Sequence, residues 1–209
     1  METKITTILC YGDSNTWGAV PGSDKRHGRG VRWTGVLQGL LGKDFEVINE
    51  GLCGRTFIAT RPEKPHLTGI THLTAILKTA APIDQIIVML GTNDVKSTFN
   101  LSAEDIAKHL ETTIELIERE KQVFTGIPKI LIVCPPSVIV PKDHDLDERL
   151  VRGIELFKTL PAVYKKVAEK HGCGFLNAGD FISSSDVDGY HLDAVAHKKL
   201  AEAIYPHVQ

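Results

Sequence analysis

Five short apolar runs recur along the chain, at residues 5–10, 45–48, 85–90, 129–134 and 174–176, and helix-length stretches separate them. This alternation constrains the fold more than any other feature. The runs are continuous, as in Gln85-Ile86-Ile87-Val88-Met89-Leu90. A strand with one wet face would instead alternate apolar and polar residues. Strands buried on both faces and joined through helices form a parallel sheet covered on both sides. The expected fold class is therefore α/β.

The intervening stretches carry helical spacing. Trp33, Val36, Leu37, Leu40 and Leu41 fall on one face of a helix over residues 33–41. Ser102 is placed as an N-cap with Glu104 and Asp105 in the first turn, ahead of a stripe of Ile106, Leu110, Ile114 and Ile117. Residues 146–170 read as helical, broken or restarted at Pro161. Residues 193–208 close the chain as a helix with Val195, Leu200 and Ile204 apolar. Two loops stand out, 19–30 and 135–145; both are expected to wall a pocket.

With 209 residues, one domain over 1–209 is expected. The net charge of −2 gives no broad electrostatic reason to expect nucleic acid or an anionic membrane as a partner. No apolar run approaches the ~20 residues a membrane helix needs. Met1-Glu2-Thr3-Lys4 leads into the first strand without the look of a secretory signal. Cysteines at 10, 53, 134 and 173 form no metal-like pairing, and Cys10 and Cys134 sit inside apolar runs. Buried free thiols and a reduced, cytoplasmic setting are expected.

The chemistry concentrates where strands end. Gly12-Asp13-Ser14-Asn15 follows the first apolar run, which puts Ser14 at the carboxyl edge of the sheet, where open α/β folds place ligands. A turn serine alone carries little, and Ser14 does not sit in a Gly-x-Ser-x-Gly elbow. Its weight comes from three further segments: 51–56, Gly91-Thr92-Asn93-Asp94, and Asp188-Gly189-Tyr190-His191. A serine hydroxyl needs a base to take its proton, and His191 with Asp188 three residues earlier fits that need. Asp186 is the rival carboxylate. Asn93 supplies a carboxamide, and Gly54 an unobstructed backbone N–H, to polarise a developing oxyanion. Asp13, Arg55 and Asp94 read as structural braces. Trp17, Leu52 and Phe57 are candidates to line an acyl pocket, balanced against the ordinary alternative that they are core.

Together the four segments resemble the SGNH hydrolases, the GDSL esterase and lipase family, named for Ser, Gly, Asn and His in four blocks. The resemblance implies a flavodoxin-like three-layer α/β/α sandwich. It implies Ser14 as nucleophile, His191 and Asp188 as base and acid, and the Ser14 N–H, Gly54 N–H and Asn93 side chain as oxyanion donors, with no metal or organic cofactor. Asn15 stands where the motif name has Leu. Residues 12–18, 32–37, 44–48 and 89–94 are similar to the bacterial arylesterase and acyltransferase branch. That branch implies short-chain ester substrates, acyl transfer to alcohols or peroxide, and a homo-oligomer.

Other classes fit the residues less well. A metallophosphoesterase would need an Asp-x-His at the first strand and a late Gly-His-x-His pair, and the chain has neither. A non-catalytic carbohydrate-binding module need not keep all four chemical blocks. An acyl-thioesterase and a lysophospholipase remain alternatives on the same site.

Overall fold

The computed structural model describes residues 5–208. Met1-Glu2-Thr3-Lys4, the stretch read for a secretory signal, lies outside them. Five strands form one sheet in the order β2-β1-β3-β4-β5, and every pairing is parallel. They are β1 (Thr6–Gly12), β2 (Phe45–Gly51), β3 (Ile83–Met89), β4 (Phe124–Cys134) and β5 (Gly174–Asn177). The helices are α1 (Ser14–Trp17), α2 (Trp33–Leu41), α3 (Gly69–Ala80), α4 (Ala103–Arg119), α5 (Val151–Leu156), α6 (Leu160–Lys170) and α7 (Ala194–Ile204).

Alternate strand residues feed two separate cores, as a period of two requires. Ile8 and Cys10 of β1, Ile87 and Met89 of β3, and Leu131 and Val133 of β4 pack with Trp33 and Leu37 of α2 and with Leu200 and Ile204 of α7. Leu9, Tyr11, Ile86, Val88, Ile130 and Ile132 face the other way, onto α3, α4 and α6. Both faces are thus covered, as the continuous apolar runs require, and the three-layer α/β/α sandwich implied by the family resemblance is the one observed.

The helix signals translate directly in most places. Ser102 caps α4 in a reciprocal capping box, its side chain accepting from the Asp105 N–H while the Asp105 carboxylate accepts from the Ser102 N–H. Over 146–170 the single interrupted stretch resolves into α5 and α6, with Pro161 in the first turn of α6, where its missing N–H is harmless. α3 was not anticipated. It has no side-chain cap, and threonines punctuate its stripe of Leu73 and Leu77.

The strand order reverses at β1, whose neighbours are β2 and β3. Gly12 pairs in register with Gly51 on one side and Met89 on the other. The segments that leave β1 and β3 therefore diverge from one point at the carboxyl edge, the place where doubly wound sheets open a crevice. Close approach there demands glycine: a Cβ on Gly51 would lie 2.0 Å from the Trp17 backbone nitrogen.

Candidate active site

α1 begins on the first residue after the β1 turn. Asp13 caps it, its side chain accepting from the Asn15 N–H at 2.9 Å, and Ser14 opens the helix. From the other end of the chain, the segment before α7 brings His191 to the same point. His191 Nε2 lies 3.0 Å from Ser14 Oγ, and Nδ1 lies 2.7 Å from Asp188 Oδ2. A carboxylate only accepts, so Nδ1 carries the proton toward Asp188 and Nε2 is left to accept from the serine hydroxyl. Asp186, the rival, is exposed.

Asp188 is held as an anion. Burial pushes its pKa up, but hydrogen bonds from the His191 ring and backbone and from Gly22 outweigh that and bring it down to about 2. Its Oδ1 accepts from the backbone N–H of Tyr190 and His191, and its Oδ2 from the N–H of Gly22 at 2.9 Å. The 19–30 loop thus fixes the carboxylate. Ala19, Ser23 and Asp24 of that loop also line the cavity over Ser14, as expected. The 135–145 loop contributes no lining residue. It braces the Asp188 segment from behind, through the Ile139 N–H on Gly189 O and the Lys142 N–H on Asp186 O, both 2.9 Å.

The cavity measures about 300 Å³ and is lined by Ser14, Trp17, Gly54, Asn93, Lys96 and His191, among others. Gly54 adopts φ +82°, a conformation that strains any residue with a Cβ. Asn93 follows β3, and its amide is held at both ends. Nδ2 donates to Arg55 O at 3.1 Å, and Oδ1 accepts from Lys96 Nζ at 2.7 Å. Of the proposed pocket walls, Trp17 faces the cavity, with the Arg26 guanidinium 4.8 Å above its ring. Phe57 does not. It is 1% exposed and packs in the core against Tyr164, ring centroids 6.1 Å apart. Leu52 is also absent from the cavity wall; its N–H is spent on Gly12 O.

The braces behave as read. Arg55 donates from Nη1 to Gly12 O at 2.9 Å and to Glu50 O, and it stacks 4.2 Å from the centroid of the Tyr11 ring. Asp94 accepts from the Phe57 N–H at 3.0 Å, and burial pushes it up to about 7. Burial likewise raises Asp13 to about 6. Two contributors were missed by reading the sequence. Asn15 donates from Nδ2 to Tyr190 O at 3.0 Å and accepts at Oδ1 from the Leu192 N–H at 3.1 Å, clamping both flanks of His191 to the serine turn. Lys96 is the other. Glu111, Glu115 and His171 could together hold a metal ion, but they lie on α4 and just beyond α6, elements that add nothing to this cavity.

Residues 10–199 match the family model described as the GDSL-like lipase/acylhydrolase family. The chain belongs to that family. It is an ester-hydrolysing enzyme with the SGNH hydrolase fold. The native aryl esterase of M. smegmatis is 37% identical, with a TM-score of 0.90 over 97% of this chain and 98% of that one. A carbohydrate acetylesterase family member from Sinorhizobium meliloti is 34% identical, with a TM-score of 0.89 over 98% of this chain and 97% of that one. A G-D-S-L family lipolytic protein from Veillonella parvula, 16% identical with a TM-score of 0.70, shares the fold. No curated protein sequence matches the chain. No helix among the described residues is long and apolar enough to cross a membrane.

Proposed function

We propose that this family member hydrolyses short-chain carboxylic esters through an acyl-Ser14 intermediate. The observation that carries the reading is the continuous relay from Ser14 Oγ through His191 to Asp188, opening onto a small cavity that Gly54 and Asn93 also line. His191 Nε2 takes the hydroxyl proton as Ser14 Oγ attacks the carbonyl carbon. The resulting oxyanion is met by the Ser14 and Gly54 N–H groups and the free N–H of the Asn93 amide. The ester C–O bond then breaks, and His191 returns the proton to the departing alkoxide. A water repeats the sequence on the acyl-enzyme, freeing the acid and Ser14. Asp188 keeps the imidazole in the required tautomer and steadies its charged form.

A cavity of about 300 Å³ suits an acetyl or butyryl group better than a long chain, which weighs against a lysophospholipase. The aryl esterase and the carbohydrate acetylesterase among the similar structures support aryl and acetylated sugar esters as the first substrates to try. An acyl-thioesterase uses the same relay and belongs in the same panel. Acyl transfer follows if an alcohol or peroxide replaces water at the second step. A homo-oligomer is proposed on the branch resemblance alone, and light scattering measures it. The decisive test is covalent: an organophosphate should add one phosphoryl group at Ser14 with loss of its leaving group, seen by peptide mass spectrometry, and abolish turnover. Labelling elsewhere with activity retained would remove Ser14 from the nucleophile's place.

A further inference from the structure

Lys96 sits beside the reaction centre, although neither its position three residues after Asn93 nor its type marks it in the sequence. It is partly buried, it lines the cavity over Ser14, and its ammonium makes a 2.7 Å hydrogen bond to Asn93 Oδ1. The chemistry of the two contacts on Asn93 leaves one orientation of the amide. An ammonium has three donors and no acceptor, so the atom facing Lys96 must be the amide oxygen. The Arg55 carbonyl only accepts, so the atom facing it, at 3.1 Å, must be the nitrogen. One N–H of the amide is consumed there, and the other is left for the cavity.

We infer that Lys96 is the positioning residue of the oxyanion hole: it locks the Asn93 carboxamide with its free N–H toward the reacting carbonyl and polarises that N–H through the amide. This rests on the reading of Asn93 as an oxyanion donor. Without Lys96 the amide would be held only by the Arg55 contact, a single neutral hydrogen bond that fixes its nitrogen and leaves its oxygen without a charged anchor. A cation on the amide oxygen also draws electron density from the nitrogen and makes its N–H a stronger donor, most of all when negative charge develops opposite it. The ammonium stays in a site that disfavours it. Burial lowers its pKa to about 8, and Arg149 and Arg61 push the same way, against Asp147 and Asp13. The charge is retained beside the cavity at this expense, as it would be for a group that acts on the reaction.

A double-mutant cycle on a short-chain aryl ester tests it. Asn93→Ala is expected to lower kcat by about 10²–10³-fold. Lys96→Met is expected to lower kcat by about ten- to a hundredfold, the range of one charge-assisted hydrogen bond, with KM within about threefold. In the Asn93→Ala background, Lys96→Met should then change kcat by less than about threefold, because the residue it acts through is gone. Thermal unfolding of each variant checks the fold, and Lys96→Gln replaces Lys96→Met in the cycle if the latter does not fold. Multiplicative effects, or a Lys96→Met defect confined to KM, would overturn the inference while leaving the oxyanion role of Asn93 standing. An unchanged kcat in Asn93→Ala would overturn both.

Discussion

Replacing Asn15 with alanine cuts the only side-chain link between the serine turn and both flanks of the histidine among the described residues. Two hydrogen bonds go at once, from Nδ2 to Tyr190 O and from the Leu192 N–H to Oδ1. Asn15 is 1% exposed, so water does not simply replace it. An orphaned backbone group costs about 1–3 kcal/mol. Leu192 is fully buried, whereas Tyr190 is half-buried and regains part of its solvation, so the low end applies: about 2–3 kcal/mol in all. For a chain of this size each kcal/mol moves Tm by about 2–4 °C, which gives a fall of roughly 4–12 °C. Activity should fall more than stability suggests. The Asp188–His191 pair keeps its own bond but loses its anchor to α1, and a displacement on the order of 1 Å between Nε2 and Ser14 Oγ costs about 10²-fold in kcat. The assay is kcat and KM on a short-chain aryl ester beside a thermal melt. A variant with Tm within about 1 °C and unchanged kcat would refute the clamp.

Ser14→Ala and His191→Ala should each remove nearly all esterase activity with the melting transition retained, since the proposed mechanism uses the two as one unit; substantial turnover by Ser14→Ala ends the covalent mechanism. Asp188→Asn should lower kcat strongly and Asp186→Asn should not, because Asp186 is exposed; the reverse pattern in steady-state rates would exchange their roles. Acetyl to butyryl esters should exceed octanoyl by more than about tenfold in kcat/KM, or roughly 1.4 kcal/mol of transition-state binding, and a preference for octanoyl in a chain-length panel would remove the short-chain reading.

The sheet was legible because its signal is local. Continuous apolar runs mark strands buried on both faces, and four of the five begin within two residues of the start of the observed strand. β4 is the exception at its start, because Thr125, Gly126 and Ile127 are exposed and break the run before Lys129. α3 was illegible for a related reason: Leu73 and Leu77 mark its stripe, but no cap announces it. The serine, histidine and aspartate were readable because their residue types and order carry chemistry. Asn15 and Lys96 were not, since what distinguishes them is contact. Asn15 meets partners 175 and 177 positions away, and Lys96 matters only through the atom it touches. Phe57 misled for the opposite reason. It is near the motifs in sequence, but its N–H is tied to Asp94 and its ring points into the core.

Charge is distributed across the site in the sense the reaction needs. In the proposed mechanism, attack by Ser14 puts a positive charge on His191 and a negative charge on the carbonyl oxygen. Asp188, held down to about 2, is an anion on the side where the imidazolium forms. Lys96, bonded to Asn93, is a cation on the side proposed for the oxyanion. The other buried carboxylates nearest the serine would blur this polarity if fully ionised. Burial raises Asp94 to about 7, which removes a large part of its negative charge near neutral pH, whereas Asp13, raised only to about 6, keeps most of its own. A fixed field along the line of charge separation needs no reorganisation at the moment of reaction, whereas water would have to turn. The two cores on either side of the sheet make such a field tenable: they hold β1 and β3 in register at Gly12 and Met89, so that unfavourable buried charges remain where the chemistry uses them.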